Sequence, residues 1–341
     1  MRRPNRAWMT CLTLLATAAL AGPSGYHADR TIMVAGDGFW DYITADTTSH
    51  RVFVTHGTHV QVVDAAIDSV VGDIPDTPGV HGVALAYDVG RGFTSNGRDS
   101  SVSVFDLKTL AVIGRIPVGS RYPDAILYDR ATGRVFTFNA GGRNTTAIDA
   151  RTQKVVGSLA LGGKPEAGVS DGAGKIYVNN EDSSTVVEFD SRRLKQLHVW
   201  SLAPGEGPSG LAFDRAHHRL FSGCDNQKLI VLDSQSGRKV AELPIGEGVD
   251  GVAFDPAQQL VFSSNGEGTL TVIHEDDPDH YSVVENVPTQ KSGRTLALDP
   301  RDGTVYIPAA ELGPAPAPTP ERPHPRPSIV PGSFRVVVVH H

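Results

Sequence analysis

Asp129-Arg130-Ala131-Thr132-Gly133-Arg134-Val135-Phe136-Thr137-Phe138-Asn139 reads as a tight turn feeding a short strand, and the chain returns to this pattern seven times. An acid and a cluster of turn formers come first, as a hairpin requires. A strand with an aromatic near its centre follows. The aromatics are Phe53, Phe93, Phe136, Tyr177, Phe221, Phe262 and Tyr306, spaced by 40, 43, 41, 44, 41 and 44 residues. Five to seven residues ahead of them stand Asp46, Asp88, Asp129, Asp171, Asp214, Asp255 and Asp299. A further strand ends in Asp64, Asp106, Asp149, Asp190 and Asp233, with His274 and His340 in that place in the last two units. Another short strand then closes on Gly or Pro, as at residues 111–116, 155–159 and 239–243.

A period of about 42 residues holding four short, turn-bounded strands is the signature of a propeller blade. Almost nothing in the chain has the 3.6-residue period of a long helix. The expectation is an all-β fold: one seven-bladed β-propeller of four-stranded antiparallel blades over residues 22–341. The seventh unit runs out of chain soon after residues 334–339, whereas residues 30–38 resemble a fourth strand such as residues 239–246. The N-terminal strand is therefore expected to pair beside residues 334–339 and close the ring, removing exposed edges. Seven Asp residues at equivalent turns read as turn formers bonding their own backbone. The aromatics read as packing between blades.

The 341 residues include 36 Gly and 23 Pro and carry a net charge of -7. That charge disfavours general affinity for nucleic acid or an anionic membrane, leaving at most a local patch such as Arg121, Arg143 and Arg294. Residues 1–21 read as a secretory signal, with Arg2, Arg3 and Arg6 before an apolar run and Ala19-Leu20-Ala21 as the cleavage pattern. Cleavage would leave 28 Lys and Arg against 38 Asp and Glu, a charge of -10, and Cys224 as the one cysteine. No internal disulfide is then possible. No later segment is apolar for long enough to span a bilayer, and a periplasmic or secreted monomer is expected.

From each anchor the chain reads Phe53-Val54-Thr55-His56, Phe93-Thr94-Ser95-Asn96, Phe136-Thr137-Phe138-Asn139, Tyr177-Val178-Asn179-Asn180, Phe221-Ser222-Gly223-Cys224, Phe262-Ser263-Ser264-Asn265 and Tyr306-Ile307-Pro308-Ala309. These resemble degenerate copies of the Tyr-Val-Thr-Asn signature of the bacterial YVTN-repeat β-propellers, the YncE-like proteins. The resemblance runs from about residue 31 to residue 341. It implies a periplasmic or secreted seven-bladed propeller of a kind that mostly serves in binding. Three repeats depart from the Asn, at His56, Cys224 and Ala309.

Aligning the repeats predicts two rings at one mouth of the central channel. The strand-start ring is Asp41, His81, Asp124, Glu166, Ser209, Asp250 and Arg294; the strand-end ring is His56, Asn96, Asn139, Asn180, Cys224, Asn265 and Ala309. Two functions stay open. The channel face is expected to bind a small molecule, protein or peptide, through Asp41, Asp124, Glu166, Asp250, Arg294, Asn96 and Asn265. Alternatively Glu166, Asp124, Asp250, Asn139 and Asn180 hold Ca²⁺ or another divalent cation, with His81 or His56 as general base on a metal-bound water. That would be a lactonase or other esterase, similar in kind to gluconolactonase-like and paraoxonase-like propellers, with no motif matched residue by residue. A wholly structural reading also stands, with the Asn ring bonding loop backbone and the acids paired with Arg121, Arg294 or water.

His56, His59 and His81 offer a weaker transition-metal pattern with Asp41 or Asp124. Cys224 reads as inert packing, with a reactive thiol as the alternative, and residues 274–280 as a solvated acidic loop at the opposite face, with weak cation binding as the alternative. Residues 313–332, with eight prolines, interrupt the last blade on the ring side and read as a lid, a docking strip or a loop tip. No nucleophile elbow, phosphate loop, dinucleotide fingerprint or haem attachment motif occurs.

Overall fold

The computed structural model describes residues 24–34, 36, 38–319 and 327–341, so the segment read as a signal lies outside the described residues. Seven four-stranded antiparallel sheets form the blades of a propeller. Their inner strands are Ile43–Asp46, Val80–Ala86, Pro123–Asp129, Pro165–Ser170, Pro208–Asp214, Val249–Asp255 and Ala297–Asp299, for blades 1 to 7. Each of the first six blades is one continuous stretch of chain, because three short turns are enough to join antiparallel neighbours.

Blade 7 is composite. Its inner three strands are Ala297–Asp299, Thr304–Ala309 and Arg335–His340, and its outer strand is the N-terminal His27–Met33. The pairing places Arg30 opposite Val338 and Ile32 opposite Val336. Val34 N–H extends it by donating to the Phe334 carbonyl at 3.1 Å. The first and last parts of the described chain thus share one sheet, and the ring closes as the repeat arithmetic requires.

The aromatic anchors are buried between blades. Phe53 packs against Phe105 of the next blade at 5.9 Å between ring centroids, and Phe136 against Phe189 at 5.7 Å. The repeated acids make the expected local bonds. Asp46 accepts from the backbone N–H of Thr48 and Ser49, Asp171 from Ala173, Gly174 and Lys175, and Asp255 from Ala257 and Gln258. Asp88 differs: it sits in a short 3-10 turn and accepts the Tyr128 hydroxyl at 2.6 Å.

Residues 274–280 form the tip of a hairpin and not a loop; Asp276, Asp277, Asp279 and His280 are exposed as expected, whereas Glu275 is buried. Thr269–Asp277 and His280–Pro288 form a long hairpin whose tip reaches blade 5, where Arg219 donates to the Pro278 carbonyl at 2.7 Å. Asp279 at the tip pairs with both Arg219 and Arg238 of blade 5, and that helps to place the hairpin. The proline-rich segment leaves blade 7 between its second and third strands, and its base is a small ladder. Leu312 pairs with Ile329, Gly313 N–H donates to the Ser328 carbonyl, and Ile329 packs on the Trp40 and Phe334 cluster. No helix among the described residues is long and apolar enough to cross a membrane.

Removing residues 24–33 deletes the outer strand of blade 7 and bares the edge of Arg335–His340. Such an edge is a template for pairing with another chain. The truncated chain is expected to melt at lower temperature and to elute from size exclusion as oligomers. A monomer with unchanged melting would refute the dependence on ring closure.

Candidate functional site at the channel mouth

The inner strands carry the site through a repeated irregularity. Pairing with the second strand slips between Val80 and Val83, Pro123 and Ile126, Pro165 and Gly168, Pro208 and Leu211, and Val249 and Gly251. Each bulge contains a residue of the strand-start ring: His81, Asp124, Glu166, Ser209 or Asp250. A bulge turns a side chain away from the ladder, here toward the axis. All seven ring residues, with Asp41 and Arg294 completing them, line one funnel of about 900 Å³.

The strand-end ring does not join them. Asn96 takes the Thr94 hydroxyl on Oδ1 at 2.9 Å and donates through Nδ2 to Ser101 and Ser103 at 3.0 and 2.9 Å. Asn139 and Asn265 repeat this network with Thr137, Asn144 and Thr146, and with Ser263, Thr269 and Thr271. Asn180 donates to the Leu161 carbonyl at 2.8 Å. His56 is buried, its Nδ1 3.1 Å from Gln61 Oε1 and its ring against Phe334. Asn96, Asn139 and Asn265 thus bind strands within a blade, and Asn180 and His56 are likewise engaged away from the funnel. The metal set that includes Asn139 and Asn180 is therefore not assembled, and Asn96 and Asn265 do not face the funnel.

The reason is strand alternation. One residue further along, the chain turns to the opposite side. Gly97, Ala140, Glu181 and Asp225, each following a strand-end position, do line the funnel. Sequence reasoning missed Glu181 and Asp225 by one register. It also missed Lys164, Phe39 and Tyr122 in the wall, and Tyr42, which lines a smaller cavity of about 160 Å³ shared with Asp250. A signal for the first ring was present: each of its ionisable members from blade 2 to blade 6 precedes Gly or Ala, as in His81-Gly82, Glu166-Ala167 and Asp250-Gly251.

Charge in the funnel is unbalanced. Asp41, Asp124, Glu166, Glu181, Asp225 and Asp250 face three fixed cations, Arg121, Lys164 and Arg294. His81 Nδ1 lies 2.6 Å from Asp41 and 3.4 Å from Asp124. Arg294 lies 3.0 Å from Asp250 and 3.6 Å from Asp41. Lys164 binds Glu166 at 2.9 Å and also Glu181. Asp124 is pushed up to about 6, Asp250 to about 7 and Glu166 to about 9. Burial is the main cause at all three; neighbouring carboxylates add to it, while His81, Arg294 and Lys164 oppose it. Burial alone would lower His81, but Asp41 and Asp124 hold it above its ordinary value. The arrangement can accept a cationic group or a metal ion, and it contains an imidazole oriented by a carboxylate.

The remaining predicted features separate from the funnel. His59 faces Asp73 at 3.7 Å while His81 is held by Asp41, so the three histidines form no common site. Cys224 is buried, with its thiol pushed up to about 12 by burial, which leaves it protonated and unreactive. Residues 313–319 and 327–332 do not line the funnel.

Fold and site together define a seven-bladed β-propeller with a polar, acid-rich funnel at one mouth of its channel. No family model matches the chain, and no curated protein sequence matches it. Solved structures of similar fold include hydrazine synthase of Kuenenia stuttgartiensis, with 17% identity and a TM-score of 0.72 over 80% of this chain and 94% of that one. A chain of a mitotic checkpoint complex is similar at 12% identity and a TM-score of 0.69, over 90% of this chain and 94% of the other. At such identities the likeness shows the fold alone.

Two outcomes follow from the geometry. Asn139→Ala removes three buried hydrogen bonds and should cost about 2–3 kcal/mol in urea unfolding while leaving the funnel unaltered. A neutral substitution would mean that the Asn network carries no stability. The raised acids and His81 both hold protons in the folded state that the unfolded chain releases, so stability should fall as pH rises from about 5 to 8. The expected loss is on the order of 2 kcal/mol, and Glu166→Gln should flatten the slope. A stability that climbs over this range would contradict the assigned burial of charge.

Proposed function

We propose that this chain is an exported binding module whose funnel takes a cationic group, an amine or guanidinium presented by a small molecule or a peptide. The observation that carries this reading is the convergence of six carboxyl groups on one mouth with only three fixed cations among them. Three of those acids are held against ionisation by burial and mutual repulsion. A ligand cation relieves that repulsion, and desolvated carboxylates bind it more strongly than surface ones do. Phe39 and Tyr122 flank His81 at 5.6 and 4.9 Å between ring centroids and give the wall an aromatic surface for the ligand's apolar part. The N-terminal segment supports a periplasmic or secreted location, and the repeats support a place among the YVTN-repeat propellers.

The test is calorimetric titration with tri-lysine and, as control, tri-glutamate. Tri-lysine should bind, tri-glutamate should not, and Glu181→Gln with Asp225→Asn should weaken binding about tenfold or more. Because protons compete for the raised acids, affinity should fall as pH drops from about 8 to 6. Equal binding of both peptides, or of wild type and variant, would sink the proposal.

A second reading, metal-dependent hydrolysis of a lactone or ester, is favoured by one observation. Ligand atoms of Asp41, His81 and Asp124 lie within 4.8 Å of one another. This set differs from the one expected from the sequence, and it would use His81 as a ligand or as a base, not both. Metal analysis with thermal melting in chelator and in added Ca²⁺ decides it. Absence of both stoichiometric metal and a melting shift would dismiss the hydrolase.

A further inference from the structure

At the end of the blade 3 inner strand, opposite the funnel, a polar contact ties one blade to the next. In blade 3, Asp129 accepts the Thr132 hydroxyl at 2.7 Å and, from blade 4, the hydroxyls of Ser191 and Ser170 at 2.9 Å each. Ser191 stands one residue beyond the Asp that ends the third strand of its blade. The equivalent residues elsewhere are Ala65, Leu107, Ala150, Ser234, Glu275 and His341, so blade 6 alone places an acid there.

Glu275 is fully buried and meets the Asp214–His217 pair of blade 5. Where blades 3 and 4 join an acceptor to a donor, blades 5 and 6 bring two carboxylates together. His217 occupies the position of Thr132, three residues after its Asp. Its Nδ1 lies 2.6 Å from Asp214 Oδ2 and 3.5 Å from Glu275 Oε1, and the three ligand atoms are all within 4.8 Å of one another.

The cluster is incompletely satisfied. His217 Nδ1 and Glu275 Oε2 are both shielded from solvent, and neither has a hydrogen-bond partner. The short approach of Nδ1 to Asp214 lacks hydrogen-bond alignment. Tyr281 donates its hydroxyl to Glu275 Oε1 at 3.2 Å, and Ala216 N–H donates to Asp214 Oδ1 at 2.9 Å, which fixes both carboxylates. The adjacent Arg219 is engaged elsewhere, by Asp233, Asp279 and the Pro278 carbonyl. A buried pair of acids that share one imidazole is costly, and a bound metal ion lowers that cost.

We propose that Asp214, His217 and Glu275 bind a first-row divalent cation of the Zn²⁺ class, which ties blade 5 to blade 6. One imidazole nitrogen and two carboxylate oxygens suit such an ion, whereas Ca²⁺ takes more ligands and only oxygen. The His217 side chain is 37% exposed, so the ion has a path in and water can complete its coordination.

Chelator-treated full-length chain titrated with Zn²⁺ tests the site. The variants are Glu275→Ser, which recreates the Asp129–Ser191 contact of blades 3 and 4, and His217→Asn. His81→Gln controls for the funnel cluster. Wild type and His81→Gln should bind one Zn²⁺ at this site and melt at higher temperature with it. Both Glu275→Ser and His217→Asn should lose that binding by about tenfold or more, with the melting shift. The proposal is overturned if wild type takes up no Zn²⁺, or if either folded variant binds it as wild type does. Loss confined to His81→Gln would place the ion in the funnel and overturn it equally.

Discussion

Seven inner strands must approach one axis, and nearly everything at the channel mouth follows from that crowding. A Cβ on Gly210 would sit 2.7 Å from Val252 N, and one on Gly251 2.6 Å from Leu296 N. No side chain fits at those two positions; Gly or Ala follows the ring position in blades 2 to 6, where neighbouring backbones come close. The space is recovered one residue earlier, where a bulge swings a polar side chain out of the ladder. The acid-rich funnel is therefore a consequence of blade geometry as much as of composition.

Between blades, a polar layer supports the same approach. Ser95 donates to the Asp124 carbonyl, Asn179 to the carbonyls of Ser209 and Gly210, and Ser264 to that of Gly293. These bonds pin an inner strand by the second strand of the blade before it, and so set where the ring residues emerge. Asn96 and Asn265, which follow Ser95 and Ser264, face their own blades and fasten second strand to third, as Asn139 does. Both layers are buried, where an unmade bond costs more than a made one contributes. Structure and site thus share a strand but use alternate residues of it.

The Asp turns and aromatic anchors were legible because each depends on neighbours within a few residues and recurs at a fixed spacing. Ring closure was legible for a similar reason: one strand was missing at one end of the repeat and a spare one stood at the other. The strand-end ring was misplaced by one residue. Period-two alternation says that Asn180 and Glu181 point to opposite sides, but not which side holds the axis. Within the acidic run at residues 274–280, the burial of Glu275 and the pairing of Asp279 were not legible because their partners, His217 and Arg219 with Arg238, lie about 40 to 60 residues away in sequence.

The amino-acid sequence by itself determined the number of blades, the composite last blade and the strand-start ring, since all three are written in spacing and local turn chemistry. Only the tertiary structure decided which side chains share a solvent-shielded volume. Lys164 with Glu181, Asp41 with His81 and Arg294, and Asp214 with Glu275 each meet across blade boundaries or turns. Their electrostatics depend on burial and distance, and those quantities exist only once the ring has closed.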